Sequence, residues 1–231
     1  MKPAMGNRNQ GPDVLRLSRV TLLAALLWIV LLGGCSLLVG NKGTATIYAP
    51  VAQIQPDPAW PAVSWQLSVT RPSASRMLDS LRIAVRPTPG ELQVYKDASW
   101  ARPPADQVVD TVLYALEDSQ KIPAVARQGS GIAGDYKLVM DLRRFEADYA
   151  GATLPSAMVE VNAKLLHAPD QDVVGSRTFL QAVPANGTEV AQVSQAFEQA
   201  LGLVGHDIAG WTLVTGETHQ RSGAHIGKPT R

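Results

Sequence analysis

Apolar and polar residues alternate with a period of two through much of the chain, and in two places the period becomes helical. Val63, Trp65, Leu67 and Val69 alternate with Ser64, Gln66, Ser68 and Thr70, which predicts a half-buried strand stopped by Arg71-Pro72. Leu81, Ile83 and Val85 predict a second strand over Leu81–Arg86. Pro87, Pro89 and Gly90 then turn the chain, and Leu92–Tyr95 returns as a short strand. Ahead of these, Ile47, Tyr48, Val51 and Ile54 mark a first strand that Pro50 confines to an edge or a start. Pro56, Pro58 and Pro61 make an extended loop after it, and a further short strand begins at Val125.

The clearest strand signal lies at Tyr136–Tyr149. Tyr136, Leu138, Met140 and Leu142 share one face, and then the phase slips to Phe145, Ala147 and Tyr149. A slip of one residue inside a long strand predicts a bulge near Arg143-Arg144. Ala157–His167 and Val173–Val183 follow, each behind a turn, and complete an antiparallel meander. Helical periodicity runs from Pro103 or Pro104 to Ser119, with Val108, Val109, Val112, Leu113 and Leu116 on one stripe and proline in the first turn. A second helix is expected behind Thr188 as N-cap, carrying Val190, Val193, Phe197, Leu201, Val204, Ile208 and Trp211. Gly202, Gly205 and Gly210 predict a kink or break in it. Thr215–Arg231 has no apolar period and reads as a disordered tail. The sum is a single α+β domain over 46–214: a mixed, largely antiparallel sheet with two main helices packed on one face.

The amino-terminal pattern is different in kind. Arg16 and Arg19 precede an apolar run from Val20 to Leu32, which ends in Gly33-Gly34-Cys35. A positive flank and a run shorter than the roughly 20 residues of a membrane span predict a secretory signal peptide over 1–34. The long polar start leaves Met1 and Met5 as alternative initiators. The ending resembles the lipobox of bacterial lipoproteins, in which the cysteine thiol accepts a diacylglyceryl group and the peptide is cut in front of it. Cys35 is therefore the expected site of lipid attachment, and it is the chain's only cysteine, so the mature protein keeps no thiol for a disulfide. Residues 35–45 form the lipidated tether, and more than one acyl chain makes such anchoring stable. Ser36 lacks the acidic side chain of an inner-membrane retention signal, so the outer membrane is expected, with the body in the periplasm.

Charge narrows the partners. The signal region holds four of the 21 basic residues (Lys2, Arg8, Arg16, Arg19) and one of the 20 acidic ones (Asp13), leaving a mature part with 17 basic and 19 acidic side chains. A near-neutral body does not fit nucleic acid, which requires a basic face.

Catalytic chemistry is not expected, nor is any cofactor beyond the covalent lipid. His167, His206, His219 and His225 have no metal-ligand spacing with Cys, Asp or Glu. Asp141, Glu146 and Asp148 read as a solvated strand face. Gly129–Gly134 lacks the Lys and Ser/Thr of a phosphate loop, and Gly175-Ser176 has no nucleophile-elbow context. Tyr95, Trp100 and Arg102 are the candidate partner-binding residues, because aromatics and arginine in a loop are enriched at interfaces; Trp60 is a second candidate.

Arg82-Ile83-Ala84-Val85-Arg86-Pro87, then Leu92-Gln93-Val94-Tyr95 and Trp100-Ala101, resemble the ABC-type transport auxiliary lipoprotein family. The pattern continues through Asp135-Tyr136-Lys137-Leu138, Arg143-Arg144-Phe145-Glu146, Ser176-Arg177-Thr178-Phe179, Ala196-Phe197 and Asp207-Ile208-Ala209-Gly210-Trp211. The resemblance implies a periplasmic α/β domain on the outer membrane. It also implies partners: an MCE-domain protein, with the permease and ATPase of an ABC transporter that moves lipids between membranes. The expected role is to dock that transporter at the outer membrane. A scaffold for envelope assembly, such as an activator of a peptidoglycan synthase, is the alternative.

Overall fold

A computed structural model describes residues 45–223. The signal region, Cys35 and most of the tether lie outside the described residues. Nine strands and two helices follow in the order β1 (Thr46–Tyr48), β2 (Leu67–Val69), β3 (Ser73–Ala74), β4 (Arg82–Arg86), β5 (Gln93–Trp100), α1 (Pro104–Ser119), β6 (Val125–Arg127), β7 (Tyr136–Asp148), β8 (Ser156–His167), β9 (Val173–Pro184) and α2 (Val190–Ser222). The strands form one sheet. Its long pairings, β7·β8 and β8·β9, are antiparallel, as is β4·β5. The short strands β2, β3 and β4 all join β7 in parallel.

β7 is the hub. One of its edges pairs with β8 along almost the whole strand. The other edge is shared in sequence by β2 at Tyr136–Leu138, β3 at Asp141–Leu142 and β4 at Ala147–Asp148. The register against β8 slips between Leu142 and Arg144, so Arg143 is the extra residue of the expected bulge. The slip lets Tyr136, Leu138, Met140 and Leu142, and then Phe145 and Ala147, all reach the same buried face. The opposite face after the bulge carries Arg144, Glu146 and Asp148.

Both helices cover the buried face. α1 starts with proline in its first turn and runs to Ser119, as its periodicity predicts, and Gln120 ends it in a left-handed conformation (φ 53°). An aromatic trio ties α2 to the sheet. Phe197 stacks on Phe145 at 4.6 Å, and Trp100 meets Phe197 and Phe145 edge-on at 5.2 and 5.8 Å. Such pairs contribute about 0.5–1.5 kcal/mol beyond the area they bury.

α2 departs from expectation in three ways. Its N-cap is Glu189, with extended backbone and no side-chain cap, so Thr188 lies one residue outside the helix. It is one continuous helix through Gly202, Gly205 and Gly210. Glycine here serves close approach rather than a break: a Cβ at Gly205 would lie 2.5 Å from Thr111 Cγ2, and one at Gly210 would lie 2.6 Å from Trp60 Nε1. The helix also runs on through Thr215–Ser222, where the sequence reads as disordered tail. Its last turns are held without aliphatic side chains. Trp65 lies against Gly216, the Tyr136 hydroxyl and His219 Nδ1 are 2.8 Å apart, and Arg221 bonds Glu217 at 2.6 Å. Burial pushes the Tyr136 phenol up to about 12.

The remaining differences concern length. The first strand is Thr46–Tyr48 rather than Thr46–Ile54, and residues 49–61 continue as an extended strap over the helices. Ile54 lies against Gly205, and Trp60 packs on Gly210 and on the His206 ring at 4.9 Å. Trp60, the second candidate for a partner contact, is therefore a buried anchor of the strap, 7% exposed. Among the described residues no helix is long and apolar enough to cross a membrane.

Helix propensity alone favours Gly216→Ala by about 1 kcal/mol. The added Cβ would sit 2.4 Å from Trp65 Cζ2, however. Overpacking of this kind costs about 1–3 kcal/mol, so the substitution is expected to lower stability. Urea denaturation checks the sign: an unchanged or raised midpoint contradicts the close packing.

Candidate functional site

Between the strap and α1 the surface opens into a cleft of about 270 Å³. Tyr48, Val51 and Ile54 line it from the strap side, Ala101 and Arg102 from the turn before α1, and Gln107, Thr111, Tyr114 and Asp118 from the helix. The walls are mostly apolar. Two of the wall residues are large apolar side chains left more than half exposed, Val51 at 67% and Tyr114 at 52%. Exposed apolar side chains gathered at a concave surface mark contact sites.

Charge at this site is arranged around Asp110. Its side chain is 8% exposed and takes an ion pair from Arg102 on one oxygen and from Arg127 on the other. The pairings join α1 to the turn before it and to β6. Gln107, one turn earlier, donates from Nε2 to the Arg102 carbonyl at 2.8 Å. Since that carbonyl can only accept, the amide orientation is fixed, and Gln107 Oε1 is buried with no hydrogen-bond partner among the described residues. Asp118 is exposed and makes no ion pair among the described residues.

The three residues singled out in the sequence fall in different places. Arg102 stands at the cleft, with its side chain 54% exposed. Trp100 is not a loop residue: it closes β5, is 1% exposed and belongs to the aromatic trio, so it is unavailable to a partner. Tyr95 is half-buried against the core, and burial, with the Tyr149 hydroxyl beside it, pushes its phenol above its ordinary pKa. Sequence reasoning missed Val51, Gln107, Tyr114 and Asp118. One signal was readable: Tyr114 is an aromatic residue on the polar side of an otherwise well-patterned helix.

Several polar groups elsewhere are held in ion pairs. Glu146, 3% exposed, is gripped by Arg86 and Arg144 at 2.8 Å each, and Arg144 also reaches Asp148 at 2.5 Å. These carboxylates hold up the guanidinium pKa of both arginines. Asp141 pairs with Arg143 at 3.4 Å, and His167 with Asp170 at 3.0 Å. Among the described residues no group of three or more His, Cys, Asp or Glu is placed to hold a metal ion.

Removing the Asp110 charge leaves two arginines that water already reaches, so the loss is smaller than for a fully buried pair. Asp110→Asn is expected to cost about 1–2 kcal/mol, and Arg102→Ala less than half as much, because Arg127 still answers the buried carboxylate. Denaturant midpoints of the two variants test that order.

Comparison with known proteins agrees with this architecture. The profile of the ABC-type transport auxiliary lipoprotein component matches residues 46–209. The crystal structure of protein XCC0632 from Xanthomonas campestris, assigned to the family DUF330, superposes with a TM-score of 0.75 at 58% identity; the match covers 77% of this chain and 99% of that one. The crystal structure of a second, uncharacterized protein shares the fold at a TM-score of 0.56 and 15% identity, covering 72% of this chain and 97% of that one. Among curated proteins none matches the chain. A profile match that takes in every described strand, α1 and α2 as far as residue 209 decides the assignment: the chain belongs to the ABC-type transport auxiliary lipoprotein family.

Proposed function

We propose that this protein is a non-enzymatic lipoprotein, lipidated at Cys35 and anchored in the outer membrane. In this role it docks the periplasmic part of an MCE-type ABC lipid transporter. The observation that carries the reading is the family match over residues 46–209, behind a lipidation motif at Leu32–Cys35. Membership gives an association with an ABC-type transport system. The MCE-domain partner follows from the resemblance of the sequence motifs, and the outer membrane follows from Ser36. Polar side chains engaged in ion pairs rather than poised around a reactive group are consistent with an accessory that binds and does not catalyse. ATP is then used by the partner ATPase, and the lipid travels through the partner's periplasmic assembly.

Two measurements test the reading. Labelling of cells with palmitate is expected to mark the full-length protein and to leave Cys35→Ala unmarked; incorporation into the alanine variant contradicts attachment at Cys35. Affinity purification of the tagged protein from gently solubilised envelopes is expected to bring down an MCE-domain protein with its permease and ATPase. Recovery of a peptidoglycan synthase without an MCE protein replaces the transport reading with the envelope-scaffold one.

A further inference from the structure

The cleft between the strap and α1 combines three features that nothing in the fold itself requires. Val51 and Tyr114 are exposed at it beyond the half-way mark. Gln107 lines it, is 8% exposed and holds an acceptor oxygen without a donor among the described residues. Asp118 lines it as a carboxylate without an ion pair among the described residues. A fourth feature adjoins them. β1, whose last residue Tyr48 is also part of the lining, pairs only with β5, so among the described residues its other edge carries no strand.

We propose that this cleft is a peptide-docking groove, occupied by an extended segment of a partner protein that lies along the open edge of β1. The segment sets an apolar side chain between Val51 and Tyr114 and carries a lysine or arginine that meets Asp118. The proposal rests on the transport-accessory reading only for which protein supplies the segment.

Charge and hydrogen bonding select this guest over an acyl lipid. Among the described residues the one cation lining the cleft is Arg102, which shares Asp110 with Arg127; with Asp118 on the same wall the two positive and two negative charges cancel, so the site has no net positive charge to draw a phosphate or a fatty-acid carboxylate. Among the described residues, what remains unanswered is an acceptor and an anion, Gln107 Oε1 and Asp118, and both call for donors. A peptide offers backbone N–H groups and a basic side chain, whereas an acyl chain offers neither. Strand addition also supplies the ladder bonds that β1 lacks on its outer edge, while a pocket that takes one side chain supplies selectivity.

The test uses the full-length lipoprotein in nanodiscs and a phage-displayed dodecapeptide library, with empty nanodiscs for counter-selection. The enriched peptides are expected to alternate apolar residues and to carry Lys or Arg. A synthetic peptide of the enriched sequence, followed by fluorescence anisotropy, is expected to lose about tenfold or more in affinity on Tyr114→Asp, as a central aromatic contact does. It should weaken about threefold to tenfold on Asp118→Lys, where a desolvated charge pair is replaced by a repulsion. Leu180→Asp, on an exposed apolar residue of β9, should leave binding unchanged. All three sites are exposed, and matching thermal melts confirm that the variants fold. Absence of enrichment, binding indifferent to Tyr114→Asp, or displacement of the peptide by decanoate overturns the groove; the last result marks an acyl site instead. Affinity purification with Tyr114→Asp separates the two readings. Transporter recovered equally by wild type and variant sinks the groove and leaves the accessory role standing, whereas no transporter recovered by wild type sinks the accessory role, and peptide binding still decides the groove.

Discussion

The fold depends on β7 being paired along both edges. Few strands in a small domain must satisfy so many neighbours at once. β8 takes one edge, and three short parallel strands divide the other. Those three strands are two to five residues long and could not hold a sheet position alone. They persist because β7 presents a continuous line of backbone donors and acceptors, already rigid through its pairing with β8. The bulge at Arg143 is part of the same constraint, since without it every apolar residue from Phe145 onward would face the wrong side.

The second layer follows from that sheet. α2 lies across β8 and β9, and the strap and the two tryptophans Trp60 and Trp65 lie against α2. The Trp60 and Trp65 rings come against the helix backbone where the helix has no side chain. Gly205, Gly210 and Gly216 are therefore the seats of Ile54, Trp60 and Trp65, and the length of the helix is fixed by packing rather than by its own propensity.

This explains which parts of the structure were legible in the sequence. The strands of the meander, the bulge and the whole of α1 could be read because their burial is expressed in aliphatic side chains at a regular period. The last two turns of α2 could not, because Gly216, His219 and Gln220 pack through a tryptophan, a phenol and a missing Cβ, none of which registers as hydrophobic period. Thr188 lies one residue before the N-cap, and no side chain caps that end. At the candidate site, composition pointed to arginine and aromatics around the end of β5 and the start of α1, and of these Arg102 lines the cleft. Trp100 was misjudged, since a residue two positions away belongs to the last rung of a strand that points into the core. Val51 and Gln107 left no mark in the sequence, because a cleft is made by the distance between two segments, not by either one.

The entry of the chain into the fold also has a mechanical meaning. The first described element, β1, is three residues long and is fastened to β5 alone among the described strands. Covalent continuity directs any tension applied from the amino-terminal side onto that short strand first. Beyond it the strap is fastened at Ile54 and Trp60, by aliphatic and aromatic contact with α2 rather than by a ladder of backbone bonds. Tension would therefore be met first by the β1 pairing and next by the Ile54 and Trp60 contacts with the long helix, before it reaches the central strands of the sheet.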